Sequence, residues 1–237
     1  MTASPTKLTL SQTGFSLLEL SITLAVIALL ASTVLTSLSS QRQTADEKTV
    51  NQQLIAAQDS LLAFAITQGR LPCPAMPGIA NDTPGAGLEA CPLIHGVLPW
   101  ATLGLPETDP WGQRLTYFAS TTFTRQPDPG EAAGFSLASG VAPNNTGLAN
   151  IDNLPRSGGN RVAIEVAAVL VSHGRQGGGA YRSDGKKSIA TRMDEMENAD
   201  ADLNFIADAH HHDFDDHLNW ISPNTLKARL IAAGKLP

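Results

Sequence analysis

The sequence predicts an α+β protein, with helix at its N-terminal end and strands in the remainder. Three observations carry that reading. Residues 15–38 are almost wholly apolar. No glycine or proline occurs from Phe15 to Gln68, so nothing breaks a helix there. Beyond Gly69 the chain is dense in proline and glycine, with β-rich runs at residues 115–118 and 162–171.

The chain has 237 residues, enough for one sizeable domain or two small ones. Charged residues make up 16%, against about a quarter in an ordinary globular chain. The formal net charge is −6 and the isoelectric point about 5.4. That balance argues against a general nucleic-acid surface, which needs a basic stripe. Two cysteines are too few for a disulfide scaffold but suit a single bridge.

From Leu20 through Gln41 there is no charged residue. A membrane helix needs about 20 largely apolar residues at ~1.5 Å rise each, and residues 15–38 meet that. A buried core helix of this length would show a polar face. A cleaved secretory signal has a shorter core and an A-x-A-like site, and neither fits here. Arg42 and Lys48 lie just past the far end and Lys7 before the near one, so charge counting does not fix an orientation.

Glu19 is the anomaly, a carboxylate near the start of an apolar run. The stretch Gly14-Phe-Ser-Leu-Leu-Glu-Leu20 resembles the prepilin motif of type IV pilins and type II secretion pseudopilins. The resemblance implies cleavage after Gly14 by a prepilin peptidase, N-methylation of the new N-terminus at Phe15, and an assembly role for Glu19, the fifth mature residue. In an assembled filament, the cationic amine of a neighbouring subunit would meet Glu19 in a low-dielectric core, where attraction counts for more than in water. The plainer reading of Glu19 is an acid tolerated near a helix N-terminus by the helix dipole.

Past Leu38 the chain turns polar without a breaker. Val50, Leu54, Ala57, Leu61 and Phe64 recur in steps of four and three, one face of an amphipathic helix. Gly69 and Pro72 end it. The resemblance implies the whole shape, a long N-terminal membrane-spanning helix packed on a small antiparallel β-sheet domain, as in pilins. The expected organisation is a leader at 1–14, the transmembrane half of the helix at 15–38, its amphipathic half at 39–69, and a periplasmic globular domain at 70–237.

Cys73 and Cys91 bracket a Pro/Gly-rich loop. A disulfide between them is the favoured reading, with free thiols or a metal pair as alternatives, although only His95 lies near enough to add a ligand. The Asp109-Pro-Trp-Gly112 run resembles a pseudopilin turn that leads into the first strand of the sheet. Pro110 presets that turn and Gly112 allows positive φ. Trp100 and Trp111 are expected in the core. Residues 126–160 read as a long excursion, and residues 162–171 as one strand. Pro223 starts a last helix and Gly234 stops it.

Catalytic chemistry finds little support, and the expectation is that the chain is not an enzyme. Ser172 and His173 are adjacent, but no acid is assigned to orient the imidazole, so a hydrolytic triad lacks a member. The glycine-rich run after it resembles the turn that follows a central strand in minor pilins. As a phosphate loop it fails on spacing, because Ala180 stands where Gly185-Lys186 would require glycine. Metal-ligand chemistry is concentrated in residues 194–217. Asp200, Asp202, Asp208, Asp213, Asp215 and Asp216 offer oxygens for calcium, and His210, His211, His212 and His217 offer nitrogens for zinc or nickel. The plainer reading is a solvated acidic loop, and no cofactor is assigned.

The resemblance implies a structural role, as a minor pilin or pseudopilin of a type II secretion pseudopilus or a type IV pilus. Its partners would be other pilin-like subunits, the prepilin peptidase and methyltransferase, and an inner-membrane assembly platform. Its location would be the bacterial inner membrane, single-pass, then the filament. The long insertions favour a minor subunit over a repeating one. The alternative is a tip module for adhesion or DNA uptake, with Arg156, Arg161, Arg175 and Arg182 as candidate contacts.

Overall fold

The computed structural model describes residues 16–153 and 160–236. Gly14 and Phe15 lie outside them. The chain divides into two units, Met1–Ala45 and Asp46–Pro237.

Helix α1 is assigned to Leu17–Gln68. Ser16 caps it: its Oγ accepts from the N–H of Leu18 at 3.2 Å and of Glu19 at 3.4 Å. The Ser21 and Thr23 hydroxyls donate back to the carbonyls of Leu18 and Leu20. Among the described residues no helix is long and apolar enough to cross a membrane. The N-terminal stretch of α1 carries the polar side chains of Glu19, Ser21 and Thr23. Two expectations are corrected on this ground. One is the fold of a membrane-spanning N-terminal helix packed on the sheet. The other is a single-pass location in the bacterial inner membrane. What packs on the sheet is the later part of the helix, residues 46–68.

The second unit holds the remaining elements: β1 (His95–Val97), α2 (Trp100–Leu103), β2 (Gln113–Arg114), β3 (Thr116–Ala119), α3 (Thr121–Thr124), β4 (Ala149–Asp152), β5 (Arg161–Val166), β6 (Ala168–Ser172), β7 (Tyr181–Arg182), α4 (Met193–Glu197), β8 (Asn204–Ile206), β9 (His217–Ile221) and α5 (Pro223–Ala232). The main sheet is antiparallel, in the order β1-β3-β6-β9. Alternation along its strands sends side chains to two faces. Tyr117, Ala119, Ala168, Leu170 and Ile221 join one core with Val50, Leu54, Ala57 and Leu61 of α1 and with Leu226 and Leu230 of α5. Phe118, Val169 and Val171 form a second core with Ala149, Ile151, Val166 and Phe205 of a smaller sheet, β5-β4-β8. In that sheet β4 and β8 run parallel, a departure from all-antiparallel pairing.

The run read as one strand, residues 162–171, is therefore two. Glu165 takes a left-handed backbone (φ 57°), and β5 and β6 enter different sheets on either side of Ala167. Local β-propensity cannot reveal such a break, because both halves are strand. Asp109-Pro-Trp-Gly112 does form a turn: Gly112 N–H donates to Asp109 O at 3.1 Å, with φ 80° at Gly112. It leads into β2 and β3, while the first strand is β1. Helix α5 starts as read, with Pro223 in its first turn and Ser222 capping it by accepting from Thr225 N–H.

Cys73 and Cys91 form a disulfide with Cα atoms 5.3 Å apart. In the chain-entropy picture a loop of this size contributes about 3 kcal/mol. A bidentate ion pair reinforces it: Arg70 Nη1 and Nη2 donate to the two Glu89 oxygens at 2.8 Å each. Cys73 N–H donates to Glu89 as well, at 3.1 Å. The Arg70 hydrogen bonds, against a smaller opposing effect of burial, hold the Glu89 carboxyl below its ordinary value.

Two outcomes follow from this packing. Leu61 is fully buried between helix and sheet. Leu61→Ala should cost about 2–5 kcal/mol, read from the urea midpoint at unchanged slope. Because the folded Glu89 carboxyl is depressed, its contribution is complete above the ordinary value of 4.5 and fades as pH falls through the folded value. Glu89→Gln should therefore flatten the acid limb of a stability–pH curve, and parallel limbs in wild type and variant would contradict the pair's role.

Candidate functional site

Two places carry chemistry that the fold does not consume. The first is the N-terminal stretch of α1. Leu17, Leu18, Leu20, Ile22, Leu24, Val26 and Ile27 are exposed by 49–88%. At about 100° per residue these positions fall on every side of the helix. A helix apolar all round normally lies buried. Glu19 sits in the first turn, three residues after the capping Ser16. That S-x-x-E spacing is the one used by capping boxes, and an acid there is favoured by the helix dipole.

The second place lies where β6 ends, and it is polar. Ser172 and His173 are both fully buried. Although adjacent, they serve opposite sides of the sheet. Ser172 Oγ donates to Asp109 Oδ2 at 2.7 Å, while Asp109 Oδ1 accepts from the N–H groups of Trp111 and Gln113 at 3.0 Å. This fixes the 109–112 turn to the central strand. Burial pushes the Asp109 carboxyl up, and these hydrogen bonds oppose the shift.

His173 Nε2 is 2.8 Å from Thr116 Oγ1, and its Nδ1 is 3.6 Å from Asp216 Oδ2. Asp216 is thus the acid beside the imidazole, at a distance longer than a hydrogen bond. The hydroxyl on the imidazole, however, belongs to Thr116 and not to Ser172. Asp216 Oδ2 takes its hydrogen bond from Asn198 Nδ2 at 2.8 Å. Asn198 also bonds both backbone groups of Ile206, at 3.0 and 2.8 Å. The arrangement reads as a buried polar network tying β3, β6, α4 and β8 to the start of β9.

Beside it three carboxylates converge. Glu195 on α4 and Asp215 and Asp216 before β9 place ligand oxygens within 4.8 Å of one another. The glycine-rich turn closes over them. A Cβ at Gly178 would stand 2.6 Å from Glu195 Oε2, and one at Gly174 would stand 2.6 Å from Asp215 Cγ. The turn's N–H groups face a carboxylate of the same chain: Gln176 N–H donates to Asp215 Oδ2 at 2.9 Å. Burial first, then the charges of Asp216 and Asp215, push the Glu195 carboxyl up to about 7. Burial also raises Asp215.

Of the six aspartates read as oxygen donors, only Asp215 and Asp216 come together. Asp213 pairs with Arg192 at 3.3 Å, Asp202 accepts from the N–H of Asn204, and Asp208 accepts from the N–H of Ala209. Glu195 was missed, because Met-Asp-Glu-Met-Glu reads as an exposed acidic helix and only the fold buries Glu195 and Glu197. The histidines do not assemble a nitrogen site among the described residues. His217 packs against His210 with ring centroids 4.1 Å apart and stacks on Trp111 at 5.8 Å. Burial, then the neighbouring His210, pushes it down to about 4. The Cys73–Glu89–Cys91 cluster is closed by the disulfide. The arginines of the tip-module reading sit on separate elements. Arg161 on β5 is paired with Asp152, Arg175 lies in the glycine-rich turn, Arg182 ends β7, and Arg156 falls outside the described residues.

The chain matches no family model, no curated protein and no solved structure.

Asn198→Ala removes the three buried bonds that hold Ile206 and Asp216. It is expected to lower stability by about 3 kcal/mol, at roughly 1 kcal/mol per bond, in urea unfolding of the full chain. A loss near zero would show that the network is not fastened through Asn198.

Proposed function

We propose that this chain is a structural subunit of a pilus-like or pseudopilus-like filament, matured by a prepilin peptidase and held in the assembly through the N-terminal stretch of α1. The observation that carries the proposal is the apolar surface on every side of residues 17–27, with Glu19 as its one carboxylate. Such a surface is stable only when covered, and equivalent helices of neighbouring subunits would cover it. The motif from Gly14 to Leu20 supports cleavage after Gly14, which would leave Phe15 as a methylated N-terminus four residues from Glu19.

In a covered, low-dielectric setting an unpaired carboxylate is costly, and a neighbouring subunit's terminal amine would offset it. The disulfide and double core of the second unit suit a part that must keep its shape while the N-terminal stretch is packed by partners.

The test is co-expression of the full chain with a prepilin peptidase and its filament partners. Mass spectrometry should find a mature chain beginning at N-methylated Phe15. Glu19→Ala should be processed normally and yet be depleted from sheared filaments. A mature protein still beginning at Met1 would overturn the maturation step. Normal incorporation of Glu19→Ala would reduce Glu19 to a helix-capping acid.

A further inference from the structure

We propose that Cys73, Cys91 and Glu89 form a zinc site when the two cysteines are thiols, and that the disulfide and the zinc ion are alternative occupants of the same pair of sulfurs. The proposal is independent of the filament reading.

The bridge is not alone in bringing the sulfurs together. The ends of the 73–91 loop are fastened by contacts that survive reduction. Arg70 holds Glu89 through two bonds at 2.8 Å, and Cys73 N–H donates to Glu89 at 3.1 Å. Ala90 N–H donates to Pro74 O at 3.0 Å, and Ala75 pairs with Glu89 in an antiparallel bridge. Cys73 and Cys91 directly flank these contacts, so the reduced thiols stay face to face. The chain is made in that state, since a disulfide forms after synthesis, in an oxidising environment.

The donors indicate the ion. One ligand atom from each of the three residues lies within 4.8 Å of the other two, and Cys91 Sγ is 4.0 Å from Glu89 Oε2. Two thiolates and a carboxylate suit zinc rather than calcium or magnesium. Zinc holds each sulfur at ~2.3 Å, hence the pair about 3.8 Å apart. That is a side-chain rotation away from a bridge whose Cα atoms are 5.3 Å apart. The carboxylate has room for the ion: of its roughly four acceptor positions, Arg70 takes two and Cys73 N–H one. Arg70 also keeps Glu89 ionised, as a ligand must be. The fourth zinc position falls to water, which reaches the site because Cys91 is exposed. The charges close as well, because two thiolates and one carboxylate are balanced by Arg70 and a divalent ion.

Loading the dithiol with zinc displaces its two protons. Closing the bridge takes an oxidant of the disulfide class. That disulfide accepts two electrons and becomes two thiolates, the Cys73–Cys91 bond forms, and the zinc ion is released.

The experiment uses the full chain, stripped of metal and reduced anaerobically with a phosphine. Cobalt(II) chloride is titrated as a spectroscopic stand-in for zinc. The exposed histidines at 210–212 can take either metal without sulfur. The readout is therefore the sulfur-to-cobalt charge-transfer absorption, which only thiolate ligation gives. The expected result is a band that saturates at one cobalt per chain, is bleached by one equivalent of ZnCl2, and is absent from the disulfide form. Near-UV circular dichroism should persist on reduction. Cys91→Ser should abolish the band. Glu89→Gln should weaken zinc binding, read by competition with cobalt, on the order of tenfold or more. If Glu89→Gln fails to fold, the wild type and Cys91→Ser decide. Four results would overturn the proposal: no charge-transfer band in the reduced wild type, an equal band in Cys91→Ser, unchanged zinc affinity in folded Glu89→Gln, or loss of the near-UV signal on reduction.

Discussion

Strand β6 is the constraint on which the second unit depends. All five of its residues are buried. It is paired on both edges, by β3 and β9, and covered on both faces, by the helix-side core and the small-sheet core. A strand enclosed this way leaves its end no route to solvent, so the polar residues that follow must find partners inside. Ser172 finds Asp109, and His173 finds Thr116 and Asp216. The acidic cluster is a consequence one step further out. The turn leaving β6 doubles back over Asp215 and Glu195, and glycine at positions 174 and 178 lets it come that close.

Helix α1 meets the same sheet through polar as well as apolar contacts. Gln58 Nε2 donates to Trp220 O at 2.9 Å, and Asn219 Nδ2 donates to Gln58 Oε1 at 3.1 Å. Apolar burial supplies most of the energy, because each Leu or Val side chain is worth about 1.5–3 kcal/mol against about 1 kcal/mol for a hydrogen bond. The amide pairing does something different. It fixes the helix along its own axis, which a stripe of interchangeable leucines leaves free to slide.

The parts of this structure legible in the sequence are those governed by local rules. Of the stripe Val50, Leu54, Ala57, Leu61 and Phe64, the first four are buried and Phe64 is half-buried; the 109–112 turn forms, Pro223 starts a helix, and Cys73 pairs with Cys91. Three features escaped for non-local reasons. The break between β5 and β6 depends on two sheets diverging. Glu195 turns inward because of what α4 packs against. Asp216 comes beside His173 from 43 positions further along the chain, so adjacency pointed instead to Ser172. The membrane reading failed for another reason. It took residues 15–38 as one apolar run, whereas no described helix is long and apolar enough to cross a membrane, and Glu19, Ser21 and Thr23 stand in the first turns of α1.

The two unsettled demands of the molecule are opposite in kind, and each restricts its own solution. Around residues 17–27 the surplus is apolar area, which any apolar surface could satisfy, so shape complementarity must supply the specificity. Glu19 narrows the choice. The Ser16 cap and the helix dipole stabilise it by about 0.3–1 kcal/mol while water is present. Covering the helix would remove that water, and an ionised Glu19 would then need a cation at its level of the helix. At the end of β6 the surplus is negative charge in a confined space, and burial with the neighbouring Asp216 and Asp215 pushes the Glu195 carboxyl up. The two demands differ because one is apolar area with a single acid at its start and the other is charge confined beneath a glycine-rich turn.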